Sequence, residues 1–240
     1  MSFWDFANPR RFLTVSARVV PVAAVIAALC LGEGLVWSFF FIPDDARQGA
    51  TIKIFYLHVP AAMMAINIWG MMVVASVIWL WRRHHVSALA AKAAAPIGLT
   101  MAAITLVTGA VWGQPIWGTW WAWDPRLTSF AIFCLFYLGY IALWEAVEEP
   151  DTAADLTSML CLVGSVFALL SRFAVYFWGN GLHQDATLSL DAEEHIADVF
   201  WYPALVVIAG FVALFVALVF ARTATEIRLR RARALELRHA

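Results

Sequence analysis

Six apolar runs of about 20 residues dominate the sequence, and each is long enough to cross the roughly 30 Å hydrocarbon core of a bilayer as a helix. A backbone in lipid must satisfy its own hydrogen bonds, so helices are expected rather than open strands. Charged residues make up only 14% of the chain and apolar residues 63%, unlike soluble domains. The sequence therefore predicts one all-α integral membrane domain over 1–240, with spans at 19–42, 59–81, 90–112, 130–147, 156–178 and 200–221.

Basic residues are distributed unevenly about these spans. With the N-terminus inside, twelve of the sixteen lysines and arginines fall on the cytoplasmic side, and Arg172 lies within the fifth span. The positive-inside rule then predicts that both termini are cytoplasmic. We expect the first span to be a retained anchor, because its apolar run is too long for a signal peptide and no clear A-x-A site follows. The basic tail, 222–240, is predicted to be a cytoplasmic helical extension that meets anionic lipid, with a partner protein as the alternative.

Several classes of function are disfavoured. The net charge of -1 gives no basic face for nucleic acid. The cysteines, Cys30, Cys134 and Cys161, lie in predicted spans without a C-x-x-C pair, which argues against thiol–disulfide exchange and against a c-type cytochrome. No phosphate-binding loop motif occurs, so any ATP-driven step needs a separate subunit. We expect no enzymatic activity from this chain.

A tryptophan-rich connection lies between the third and fourth spans, over 113–128. Five of the thirteen tryptophans fall within the twelve residues 112–123: Trp112, Trp117, Trp120, Trp121 and Trp123. Tryptophan at a membrane boundary is often part of an aromatic belt. Here the interspersed Gly, Pro and Asp residues favour a fixed loop, whose indoles suit a flat apolar ligand. Asp124 and Arg126 either lock this loop or meet carboxylates of that ligand.

The string from 117 to 128, W-G-T-W-W-A-W-D-P-R-L-T, matches the W-G-x-W-W-x-W-D-x-R-L-T signature of haem-handling proteins with a WWD domain. Over essentially its full length the chain resembles the CcmC branch of that family; the related CcmF and CcsA proteins are larger and have more spans. The resemblance implies a protein of the bacterial inner membrane that binds haem b as transient cargo at the periplasmic face. It also implies presentation of haem to the chaperone CcmE in cytochrome c maturation, with CcmA, CcmB and CcmD as subunits of an ABC-type complex.

Two histidines are predicted to flank the tryptophan-rich loop on the outer side: His58 at the start of the second span and His183 after the fifth. Neutral imidazole is a good ligand for haem iron, and the resemblance assigns the family's haem-ligating pair to His58 and His183. A structural role is the alternative for any single histidine. His195 shares the outer side and is the reserve candidate, whereas His84 and His85 lie in an inner loop and His239 in the tail.

Other residues receive weaker assignments. Lys53 and Arg172 are candidates to meet a haem propionate, although solvated loop cations are the default interpretation. Phe177 stands where the resemblance leads us to expect a second tryptophan before His183. Two alternative functions remain: a redox subunit with a fixed haem b, which prefers histidines inside the spans, and a permease that carries haem across the bilayer.

Overall fold

The computed structural model describes residues 8–178 and 197–239. Six long helices make up most of this part of the chain. Between the first two, a π-helical turn at Trp37–Phe41 extends the first helix and a 3-10 turn at Ala50–Ile54 leads into the second. The helices are α1 Pro9–Val36, α2 Phe55–Arg82, α3 His85–Trp117, α4 Pro125–Ala146, α5 Pro150–Trp178 and α6 Asp198–His239.

By length and composition, six helices could cross a membrane, which confirms the predicted all-helical class and six spans. Most of the helices extend beyond the predicted spans; α3 continues to Trp117, and α6 continues through the basic tail to His239. An apolar run marks only the segment suited to hydrocarbon. A helix ends instead where a capping residue satisfies or redirects its terminal hydrogen bonds.

Helix α2 lies at the centre of the packing and contacts α3, α5 and α6, whereas α1 packs mainly on α6 and α4 on α5. Trp69 of α2 is buried and donates from Nε1 to the Cys161 carbonyl of α5 at 3.2 Å. Gly164 allows this contact, because a Cβ there would lie 2.6 Å from the Trp69 ring. Tyr137 of α4 donates to the Ala65 carbonyl at 2.8 Å. These contacts fix α2 between its neighbours.

Successive helices run in opposite directions, so the bundle has two ends. At one end, which we call the His58 end, α2 and α6 both begin, and the Tyr56 hydroxyl donates to the Phe200 carbonyl at 3.2 Å. The tryptophan-rich segment also lies there. The other end, which we call the Asp155 end, contains the α2–α3 turn, the start of α5 and the long extension of α6. There Arg230 pairs with Asp151 at 2.9 Å.

Candidate functional site

His58 lies in the first turn of α2, and its imidazole packs against α3. Its Nδ1 is 3.1 Å from the Thr108 hydroxyl oxygen, and that hydroxyl donates to the Ile104 carbonyl at 2.6 Å. Because the hydroxyl proton is used toward Ile104, the oxygen accepts a hydrogen bond from Nδ1–H. This contact favours the tautomer of the neutral ring that has its proton on Nδ1 and its lone pair on Nε2.

Gly109 and Trp112 hold the same imidazole from two further directions. A Cβ at Gly109 would lie 2.9 Å from His58 Cε1, so only glycine lets the ring sit this close to α3. The Trp112 indole meets the ring edge to face, with centroids 5.6 Å apart. Residues 108, 109 and 112 share one face of a helix, and that face receives His58.

The α1–α2 connection fixes Trp112 in turn. Trp112 Nε1 donates to Gln48 Oε1 at 2.9 Å. The Asp45 carboxylate accepts from the backbone N–H groups of Arg47 and Gln48 at 2.9 and 2.8 Å. Gly49 follows with φ +58° and ψ -143°, a conformation in which an L side chain is strained. The connection is thus folded so that Gln48 reaches Trp112.

The tryptophan-rich segment is divided between helix and loop. Trp112 and Trp117 belong to α3, and the Trp117 ring covers Gly113, where a Cβ would lie 2.7 Å from it. Gly118, with φ +73°, ends α3 and donates its N–H to the Gln114 carbonyl at 2.9 Å. The connection to α4 is therefore 118–124, shorter than the predicted 113–128. Pro115 lies inside α3, which continues past it to Trp117.

Three further tryptophans lie in the short connection itself. Trp120 is 62% exposed and Trp123 is 84% exposed, while Trp121 is partly buried and meets Trp123 edge to face at 5.9 Å. The Thr119 hydroxyl donates to the Trp121 carbonyl at 2.8 Å and so folds the backbone of the loop. This connection presents two large indoles on its outer surface.

Asp124 caps helix α4. Its Oδ1 accepts from the backbone N–H groups of Arg126 and Leu127 at 2.8 and 3.2 Å, and Pro125 occupies the first helical position. An N-cap aspartate satisfies helix donors that otherwise lack partners. The Arg126 carbonyl also accepts from the Ser171 hydroxyl of α5 at 3.5 Å. Asp124 therefore fixes the end of the loop, which is one of the two roles considered for it.

The remaining predicted cations differ in their surroundings. Lys53 lies in the 3-10 turn and pairs with Asp44 at 3.5 Å. Arg172 is exposed near the end of α5, and its guanidinium lies 5.5 Å from the centre of the Phe173 ring. Both are at the His58 end, as expected from the sequence.

The predicted histidines are only partly covered by the structure. His183 and the reserve candidate His195 lie outside the described residues, so their relation to His58 remains a prediction. His84 and His85 lie at the Asp155 end, where His84 caps α3 by accepting from the Ser87 N–H at 3.0 Å. The structure thus separates them from His58 by the length of the bundle, as the sequence predicted.

Of the predicted site residues, Trp112 contacts His58 directly. Gly109 and Trp117 are eight residues, or about 12 Å, apart along α3, and the loop with Trp120, Trp121 and Trp123 follows Trp117 in the chain. Sequence reasoning missed Thr108, Gly109 and Gln48. The first two precede Trp112 by one helical turn on the same face, and small residues often mark close helix contacts in membranes. Nothing in the sequence distinguishes Gln48 from other polar loop residues.

Comparison with known proteins extends over nearly the whole chain. The family model described as heme exporter protein C, CcmC, matches residues 2–238. A heme exporter protein C from Rhodobacter capsulatus is 67% identical over 238 residues, covering 99% of this chain and 98% of the relative. One from Paracoccus denitrificans is 64% identical over 235 residues, covering 98% and 97%. One from Escherichia coli is 40% identical over 183 residues, covering 76% and 74%.

Proposed function

This chain belongs to the heme exporter protein C family, CcmC, and from that premise we propose that it binds haem at the His58 end and presents it to the chaperone CcmE during cytochrome c maturation. The proposal treats haem as cargo that is held and passed on. It assigns the chain no covalent chemistry of its own.

One observation supports this proposal above the others. The imidazole of His58 is held with its ligating lone pair on Nε2, at the same end of the bundle as two exposed indoles. A histidine whose other nitrogen donates a hydrogen bond is the usual form of an iron or zinc ligand. Large rigid aromatic faces pack well on a planar macrocycle. The two features together suit haem better than they suit a bare metal ion or an elongated lipid chain.

Each predicted residue has a role in the proposed complex. His58 and His183 are the axial ligands of the haem iron, on opposite faces of the macrocycle. Trp120 and Trp123 offer exposed faces to it, and the remaining platform tryptophans support them. Haem carboxylates meet cations at the rim, for which guanidinium forks and ammonium groups are suited: Arg126, Lys53 and Arg172.

The proposed orientation places both termini in the cytoplasm and the His58 end at the periplasmic face of the inner membrane. The distribution of basic residues supports it, because the helical extension of α6 contains Arg228, Arg231 and Arg233 and the outer connections contain few cations. CcmA and CcmB supply ATP hydrolysis and CcmD associates with this chain in the proposed complex. Anionic lipid meets the α6 extension.

The ligand assignment is tested by matched histidine variants. The wild-type protein, purified from membranes of haem-replete cells, is expected to show the absorption spectrum of a bis-histidine haem. His58→Ala and His183→Ala should each lower haem per protein at least tenfold or change that spectrum. His85→Ala, at the Asp155 end, is the control and should retain wild-type haem. If both site variants keep wild-type haem content and spectrum, the assignment is wrong.

The orientation is tested by cysteine labelling in intact cells. Trp123→Cys places a thiol at an exposed loop position of the His58 end, and Leu235→Cys places one on the exposed α6 extension. A membrane-impermeant maleimide should label the first in intact cells and the second only after the membrane is opened. Cys134 and Cys161 are buried and Cys30 is partly buried within α1, and labelling of the wild-type protein measures the background from all three. The reverse pattern would contradict the periplasmic placement.

A further inference from the structure

We propose that Thr108 is a positioning residue for haem ligation: it selects the tautomer of His58 and thereby makes Nε2 the ligand. This inference rests on the proposed function, since it concerns the same histidine. It adds a residue to the site that neither the tryptophan-rich signature nor the histidine pair includes.

The heavy-atom geometry favours the Nδ1–H tautomer of His58. The Thr108 hydroxyl has a single proton, and it lies along the 2.6 Å contact with the Ile104 carbonyl, with a weaker component toward the Thr105 carbonyl at 3.4 Å. If His58 carried its proton on Nε2, the Nδ1 lone pair would face the hydroxyl lone pairs at 3.1 Å. That arrangement is repulsive. By accepting the Thr108 proton, the Ile104 carbonyl leaves the hydroxyl oxygen to accept from His58 Nδ1–H, and this favours the Nδ1–H tautomer.

The surroundings make this bond important. Both His58 and Thr108 are partly buried within apolar helices, where a polar group without a partner is costly. Gly109 and Trp112 determine where the ring lies, but neither has an acceptor directed at Nδ1 in the described contacts. Position and tautomer are therefore set by different residues, and the hydroxyl of Thr108 is assigned the second role.

A chemical consequence follows for the iron. Donation from Nδ1–H to an oxygen increases the basicity of Nε2, which strengthens its bond to iron and favours the ferric state. Removing the acceptor should weaken haem binding and raise the midpoint potential of the haem that remains. A residue that only packs against the histidine would not produce that shift in potential.

The test compares three threonine variants in the full-length protein. Thr108→Val removes the hydroxyl at nearly constant volume, and it should lower haem retention about tenfold, the lower end for groups that orient a ligating histidine. The midpoint potential should rise. Thr108→Ser keeps the hydroxyl and should restore both properties. Thr105→Val is the matched control, because within the described residues the Thr105 hydroxyl bonds only the Met101 carbonyl of its own helix, at 2.8 Å.

These variants distinguish failure of the tautomer role of Thr108 from failure of the ligand role of His58. If Thr108→Val matches wild type in haem content and potential while His58→Ala loses haem, the tautomer role is wrong and the proposed function stands. If Thr108→Ser fails to restore the potential, the hydroxyl is not the active group and the inference is equally overturned. If His58→Ala itself retains wild-type haem, the ligand assignment in the proposed function is what fails. A loss shared by Thr108→Val and Thr105→Val, with unchanged potential, would show a packing effect and contradict the inference.

Discussion

The two ends of the bundle are held together by different kinds of contact. At the Asp155 end, ionic pairs join the helices: Lys92 with Glu226 at 2.9 Å and Arg230 with Asp151 at 2.9 Å, together with the contact between Arg83 and Asp155. At the His58 end, the contacts between elements are made chiefly by aromatic rings and neutral hydrogen bonds. In the proposed haem complex, the carboxylates of the ligand are met by the few cations at this end, Lys53, Arg126 and Arg172.

Exposed tryptophans show the same difference. Trp81, at the Asp155 end, is 71% exposed but has the Arg82 guanidinium stacked over its ring at 4.1 Å. Trp123, at the His58 end, is 84% exposed and makes a T-shaped contact with Trp121, and no cation is stacked over its ring among the described residues. A stacked cation satisfies the face of an indole. The indole faces at the His58 end are thus the ones suited to receive a planar ligand.

The largest effect on haem retention is expected from a methyl group added beside the His58 imidazole. Gly109→Ala puts a Cβ 2.9 Å from His58 Cε1, so the ring must move and loses its bond to Thr108. Haem retention should fall tenfold to about a hundredfold, the range for groups that orient a ligating histidine. Gly70→Ala is the control on α2, because a Cβ there meets nothing within 4 Å. Wild-type haem content in Gly109→Ala would show that the site tolerates a displaced ring.

At the Asp155 end the expected effect is on stability alone. Trp79 is fully buried and its Nε1 donates to Asp155 at 2.9 Å. Asp155→Ala removes that acceptor, and an unsatisfied buried donor costs about 1 to 3 kcal/mol. Thermal unfolding in detergent should show this loss, with haem content per folded protein unchanged.

Asp155→Asn separates the indole bond from the ion pair. It keeps an oxygen for Trp79 and removes only the charge that meets Arg83, whose side chain is 58% exposed. Exposed ion pairs contribute about 0 to 1 kcal/mol, so this variant should lie close to wild type. Equal destabilisation by Asp155→Asn and Asp155→Ala would mean that the charge, not the indole, determines the stability of this end.

A smaller effect is expected from the exposed indoles. Trp120→Ala and Trp123→Ala, made singly, each remove one face from the His58 end, and an aromatic contact contributes about 0.5 to 1.5 kcal/mol. Haem retention should therefore fall about three- to tenfold, while membrane insertion is preserved. Trp81→Ala should leave haem content unchanged. If both variants instead lose inserted protein equally and retain haem, the loop tryptophans belong to an aromatic belt.

The fold was predictable because its strongest determinant is one-dimensional. Each span needs about 20 apolar residues in sequence, and six such runs became six helices. Helix ends were less predictable. The stretch 112–117 is rich in aromatics and contains Pro115, yet it continues α3, because the residue that can adopt positive φ and end the helix is Gly118.

The site was predictable only where a residue type itself indicates the chemistry. His58 and the tryptophans could be proposed from the sequence because imidazole and indole suit haem. Thr108 and Gly109 were not, since their roles depend on which face of α3 meets α2 and on distances of about 3 Å between helices. Gln48 depends on the folding of a connection by Asp45 and Gly49, which no span pattern determines.

The smallest expected effect concerns pH at the Asp155 end. Burial, followed by the nearby charge of His85, lowers the pKa of His84 below its ordinary value of 6.5, and its Nδ1 accepts from the Ser87 N–H only when unprotonated. A folded-state pKa below the unfolded one means that this stabilisation is complete above about pH 6.5 and is lost as the pH falls through the folded-state pKa. His84→Asn keeps an N-capping oxygen and does not titrate. The melting temperature of wild type minus that of His84→Asn should therefore decrease when the pH is lowered from 7.5 to 5.5. His85, 3.7 Å from Asp151, is present in both proteins, so its contribution largely cancels in this difference. A constant difference over that range would show that protonation of His84 does not affect the cap. Haem content should be the same in wild type and His84→Asn at both pH values.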